Sequence, residues 1–141
     1  MAAAIGLGVA VELPEGVFNV IGEWQYGGMA LQWWLWELDT GEGQTRLLAR
    51  VGETFYTPVF GGVEAMPATG TLDVEGAQFT LKHHGEARAE RATPGGRDFW
   101  LAQFRQYAAP GRALIFTADK DAIHRLLGQE LEETLVQVYQ G

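Results

Sequence analysis

Six side chains in the first third of the chain have the chemistry of a binding site: Trp24, Tyr26, Trp34, Trp36, Glu37 and Asp39. Aromatic faces attract a cation through the ring quadrupole, and a nearby carboxylate supplies the counter-charge. Such a set would suit an organic cation, a polyamine for example, held in a small apolar pocket. The competing reading makes the rings core, because aromatics bury large apolar areas and usually do so inside a domain. Glu37 and Asp39 lie two apart, so on a strand they share a face, as paired acid–base carboxylates must. Their place beside the turn Thr40-Gly41-Glu42-Gly43 makes solvation their plainer role.

Other candidates carry less. His83 and His84 are adjacent, so on a strand they point to opposite faces and cannot share one metal ion without a bulge. His124 is distant in sequence, and no His-x-His or HExxH spacing occurs. Gly6-Leu7-Gly8 lacks the third glycine and the following helix of a dinucleotide fingerprint. Gly61-Gly62 and Gly95-Gly96 lack the Lys-Ser/Thr ending of a phosphate loop. The acidic run Glu130, Glu132, Glu133 reads as a solvated face. No catalytic residue, metal site or cofactor is expected.

Composition narrows the classes further. The chain has no cysteine and no serine, which removes disulfides, thiolate metal sites and the ordinary serine or cysteine nucleophiles. The net charge of −8 repels phosphate backbones and anionic bilayers, so nucleic acid and membrane surfaces are not expected partners. Met1 to Ala10 is apolar but has no basic flank, and the run breaks at Glu12 and Pro14. It reads as neither a secretory signal nor a membrane span, which leaves a cytoplasmic location as the expectation.

The elements that must position the candidates read as short strands between glycine turns. With 141 residues, 47% hydrophobic and 19 of them glycine, the chain fits one β-rich domain. Val17 to Tyr26 alternates, with Phe18, Val20, Gly22, Trp24 and Tyr26 on one side, and Gly22 marks a bulge or a strong bend. Met29 to Asp39 is apolar on both faces: Leu31, Trp33 and Leu35 on one, Trp34, Trp36 and Leu38 on the other. Such a strand is buried on both sides or has one face covered by a partner. Strands are read at Thr45 to Val51 and Thr54 to Phe60, with a loop over 61–70. The second half reads as Thr71 to Val74, then Ala77 to His83. Glu86 to Ala92 alternates alanine with charge and reads as an edge or outward strand. Segments 98–109 and 119–128 are open between strand and short helix, with Asp98 and Asp119 as caps and Gly128 as a stop. Leu135 to Tyr139 closes the chain. The fold expected is mainly β: an antiparallel barrel or sandwich of two glycine-led meanders, about 7–60 and 71–139, with one or two short helical turns possible in the second.

The order of these features resembles a bacterial family known as domain of unknown function 4178. The carrying residues are Gly16-x-Phe18-x-Val20-Ile21-Gly22, Trp24-x-Tyr26, and Trp33-x-x-Trp36-x-Leu38. Phe79-x-Leu81, Gly85-x-Ala87, Tyr107, Gly128-x-x-Leu131 and Val136-x-Val138-Tyr139 continue it. Arg46 or Leu47 departs from it, where many relatives carry tryptophan. The resemblance implies an antiparallel β-rich domain without an established catalytic site. It also implies genes neighbouring polyamine-synthesis-like enzymes and small membrane proteins of envelope stress. Two functions follow as expectations: a non-enzymatic module that binds a protein partner or forms a homo-oligomer through an aromatic face, or a barrel that binds a cationic metabolite.

Overall fold

The computed structural model describes residues 5–139. Part of the apolar opening, Met1 to Ala4, lies outside them. The strands are β1 (Ala10–Leu13), β2 (Gly16–Gly27), β3 (Gln32–Asp39), β4 (Thr45–Val51), β5 (Thr54–Val63), β6 (Thr71–Val74), β7 (Ala77–Thr93), β8 (Gly96–Ala109), β9 (Arg112–Ala118), β10 (Ile123–Leu131) and β11 (Gln137–Tyr139). A single 3-10 turn, Glu133–Leu135, precedes the last of them. All pairings are antiparallel.

Eight of these strands close a barrel in the order β2-β3-β4-β5-β10-β9-β8-β7, with β7 returning to β2. Two seams join sequence-distant strands: β5 with β10, and β2 with β7. The remaining short strands hang outside the ring, β1 and β11 beside β2, and β6 beside β7.

The long strands β2 and β7 are built alike. The first part of β2 pairs with β1 and the last part, Glu23 to Gly27, with β7. Between them the register against β3 slips at Val20/Gly22. One extra residue turns every later side chain to the other face. Phe18 and Val20 therefore pack outside the ring, while Trp24 and Tyr26 face its interior. In β7 the slip lies at Leu81/His83, and Phe79 packs outside while Ala87 and Ala89 face in. The even positions of β2, which alternate like one face, thus serve two cores.

Three cores result. The barrel interior holds Tyr26, Trp33, Leu35, Phe104, Ile115 and Leu126 with five alanines, Ala49, Ala87, Ala89, Ala102 and Ala113. The alanines leave room for the rings: Trp33 stacks on Tyr26 at 4.8 Å and meets Phe104 at 4.9 Å. Small residues opposite large ones are how a narrow barrel fills its interior. An outer core under β1 and β11 takes Trp36, Leu38, Leu48 and Phe55, and a second under β6 takes Phe79, Tyr107, Leu114 and Leu127. The two-faced tryptophan strand is explained by this: one face fills the barrel and segments from both ends of the same chain cover the other.

Several sequence expectations change. β5 runs to Val63, so the connection between halves is shorter than 61–70. Glu86 to Ala92 is no edge: Arg88 to Ala92 is paired on both sides, with β2 and with β8. Segments 98–109 and 119–128 contain strand and no helical turn. The helix-like spacing of Trp100, Phe104 and Tyr107 misleads, because Trp100 and Phe104 face the barrel and Tyr107 the outer core. Gly128 does not stop its element. Strand β10 runs through it, paired on both sides, and the glycine leaves room for Tyr56, since a Cβ there would sit 2.8 Å from the Tyr56 Cβ. Leu135 belongs to the 3-10 turn, so the closing strand is shorter than read.

Candidate functional site

The site lies at one end of the barrel, between the β7–β8 hairpin and the β9–β10 turn. Thr117 and Asp119 are two apart at the end of β9, so their side chains share the inward face. A tight turn, in which the Asp119 N–H donates to the Ala122 carbonyl at 2.8 Å, brings the chain back. It sets His124 directly opposite Thr117 in the ladder.

Asp119 is the centre of this end. One carboxylate oxygen accepts from the Tyr26 hydroxyl at 3.1 Å and from Trp100 Nε1 at 2.9 Å. The other accepts from the Thr117 hydroxyl at 2.9 Å and lies 2.7 Å from His124 Nδ1. The Asp119 side chain is only 5% exposed. A carboxylate has about four lone-pair sites, and all four are used here. This satisfies the requirement that a buried charge be fully hydrogen-bonded.

Asp119 also fixes the imidazole. With Nδ1–H donating to the carboxylate, Nε2 is left as the free nitrogen. Phe60 stacks on the His124 ring at 5.1 Å, and Trp24 meets it at 5.8 Å. Nε2 makes no hydrogen bond among the described residues.

A second cluster stands beside it. Trp24 Nε1 donates to Glu37 Oε1 at 3.1 Å, and Arg91 forms an ion pair with the same oxygen. The Arg91 guanidinium lies 4.3 Å above the Trp24 ring, within cation–π range. Arg91 and Trp24 face each other across the β2–β7 seam. Gly22 makes this possible: a Cβ there would lie 3.1 Å from the Glu37 carboxyl carbon, so the bulge glycine gives Glu37 its place. Lys120 pairs with Asp98, and its ammonium lies 4.9 Å over the Trp100 ring. The Lys120 hydrogen bond holds Asp98 below the usual carboxylate range.

Between these groups lies a cavity of about 560 Å³, lined by Trp24, Arg91, Trp100, Asp119, Lys120 and His124 among others. That volume is in the range of small-molecule sites.

Burial pushes the Tyr26 phenol far above its ordinary value, and the Asp119 carboxylate pushes it further. The phenol therefore stays a donor. Because the folded-state value is the higher one, its contribution to stability is complete below about pH 10 and is lost as pH rises beyond that. Tyr56, raised by burial and then by Glu130, adds to the loss with the same sign. Stability should fall steeply in alkali, and near-UV tyrosinate absorbance should show a component that appears only with unfolding. A fully reversible titration of every tyrosine in the folded protein would contradict this.

The structure divides the six residues singled out by chemistry. Trp24, Tyr26 and Glu37 belong to this end of the barrel. Trp34, Trp36 and Asp39 do not join them. Trp36 is buried outside the ring and donates from Nε1 to Glu23 at 2.8 Å. Trp34 stacks on Trp36 at 6.3 Å and carries Arg50 above its ring at 5.4 Å. Asp39 accepts from the Gly41 N–H at 3.1 Å within its hairpin turn. The reason is strand parity: positions 34 and 36 face away from 33, 35 and 37. The sequence reading weighed His124 only as a distant histidine and Asp119 only as a helix cap, and singled out neither Arg91 nor Trp100 for a site. A signal was there in Thr117-x-Asp119 followed five residues later by histidine, a hairpin spacing that returns a side chain beside its partner. Among the described residues no group of three or more His, Cys, Asp or Glu could hold a metal ion, and no helix is long and apolar enough to cross a membrane.

Comparison with protein-family models, with curated proteins and with solved structures gives no match, so the functional reading rests on the geometry alone.

Proposed function

We propose that this protein is a small-molecule-binding barrel whose ligand sits in the cavity beside Trp24, Trp100 and His124. The carrying observation is that His124, gripped at Nδ1 by a buried and saturated carboxylate and left with Nε2 free, lines a cavity of about 560 Å³. A polyamine is disfavoured by the arrangement of charges. The Trp24 and Trp100 rings each already carry a cation of the chain's own, and Asp119 has no lone pair to spare. Arg91 has five N–H donors and Lys120 three, so both keep donors for a ligand beyond their ion pairs. A planar ring bearing acceptor groups fits better.

Tryptophan fluorescence titrated with planar heteroaromatics and, separately, with spermidine tests the reading. The expected result is a saturable change with the planar compounds that is lost in Trp100→Leu, and none with spermidine. A response to spermidine alone would restore the cationic ligand, and no response to either would remove the pocket reading.

A second reading keeps the protein-interaction module or homo-oligomer. It is favoured by β8, whose residues before Gln103 have no partner on the β9 side and expose Phe99 (65%) and Leu101 (62%). Light scattering that gives a larger species, reduced to a monomer by Phe99→Lys, would support it.

A further inference from the structure

We infer that the cavity is a catalytic site in which His124 is a general base, with Asp119 as its positioning residue. This rests on the cavity being a ligand site. Four observations carry it together. Asp119 is saturated by neutral donors and by Nδ1, so it orients the ring and has no other task open to it. The Nε2 atom has no partner among the described residues, yet its ring lines the cavity. Phe60 and Trp24 pack against the imidazole, which holds its plane. Arg91 and Lys120 also line the cavity, and although each is paired with a carboxylate, Glu37 and Asp98, each keeps N–H donors that could meet negative charge left on a ligand.

The geometry is that of an aspartate-oriented imidazole base. The chain contains no serine and no cysteine, so His124 has no such nucleophile to activate. The Thr117 hydroxyl donates to Asp119 and the Thr93 hydroxyl to the Gly96 carbonyl, so the proton that His124 takes comes from the ligand or from water. The substrate class is a small planar molecule with an acidic C–H next to an electron-withdrawing group. In the step, the C–H bond breaks, the proton passes to Nε2, and the electron pair stays on the substrate. It then forms a new multiple bond as a leaving group departs, or returns to a proton at another atom. Neither outcome needs an oxidant, a reductant or a second substrate.

A nitrobenzisoxazole is a probe that asks only for a placed base. Removal of its ring C–H proton forms a nitrile as the N–O bond breaks, and the phenolate released is coloured. Wild-type protein should accelerate this saturably, on the order of a hundredfold over His124→Gln at equal concentration. The rate should rise with pH to a plateau, a dependence absent from His124→Gln. Asp119→Asn should lower the rate at least tenfold while binding persists, because an amide that donates to Nδ1 puts the ring proton on Nε2. If that variant does not fold, His124→Gln and His124→Asn, confirmed folded by circular dichroism, decide the matter. His83→Gln with His84→Gln should leave the rate unchanged.

Nitrobenzotriazole, planar and unreactive, separates the two ideas by fluorescence quenching. Its binding without a His124-dependent rate would overturn the general base and leave the binding barrel standing. Binding of neither compound would overturn both. Equal rates for wild type and His124→Gln would likewise end the inference.

Discussion

Asp119→Ala is expected to destabilise the protein by about 3–5 kcal/mol, because it strips the acceptor from several part-buried donors at once. The cause is less the lost carboxylate than the groups it leaves behind. Tyr26, Trp100, Thr117 and His124 would each keep a donor with no acceptor. A buried polar group left unpaired costs about 1–3 kcal/mol, and Tyr26, Thr117 and Trp100 reach the carboxylate from three different strands. Asp119→Asn should cost less, since one oxygen can still accept. Asp121→Ala, at an exposed position in the same turn, should stay within about 0.5 kcal/mol of the parent. Urea unfolding followed by tryptophan fluorescence gives all three. Equal midpoints for Asp119→Ala and Asp121→Ala would mean that the cluster contributes nothing to the fold.

Trp33→Ala should be as damaging, at about 3–5 kcal/mol, for a different reason. Trp33 is 1% exposed, fills the middle of the barrel and stacks on Tyr26 with the planes 7° apart. The surrounding alanines cannot collapse into the space it would leave, because each sits on a closed sheet. The loss should also loosen Tyr26 and so weaken the hold on Asp119. Trp34→Ala, on the outer face and half-buried, should cost about 1 kcal/mol, in line with partial burial. Near-UV circular dichroism and urea midpoints measure both. If Trp34→Ala proves the costlier, the assignment of the strand's faces is wrong.

The contrast between Trp33 and Trp34 shows what was legible. Alternation along Met29 to Asp39 revealed two apolar faces, and period two sorted the rings correctly onto them. Which face belonged to which core was not legible, because that depends on strands far away in sequence. Gly22 announced the bulge, and its register slip is there. What one inserted residue does to everything beyond it could not be read locally. The twin slip near Lys82 has no glycine at the bulge itself to announce it. Asp98 and Asp119 looked like helix caps because an aspartate before an apolar run is a common start signal. Their partners, Lys120 and His124, become visible only once the β9–β10 turn is drawn. The candidate site was half legible for the same reason: Trp24, Tyr26 and Glu37 lie close in sequence, and the rest arrive from the second half.

The β2–β7 seam has a consequence for the order in which the molecule assembles. Most pairings in the ring are hairpins between neighbours in sequence, which close short loops and form early. The two seams are the exceptions, and chain entropy makes them the slow events. Trp24 comes from one side of the β2–β7 seam, and Arg91 lies opposite it on the other. Asp119 and His124 meet Tyr26 only when the ring is shut. A chain with its hairpins formed and its seams open already holds Asp119 beside His124 and Trp24 beside Glu37, but it lacks Tyr26 on Asp119 and Arg91 over Trp24, so the complete site exists only in the closed ring.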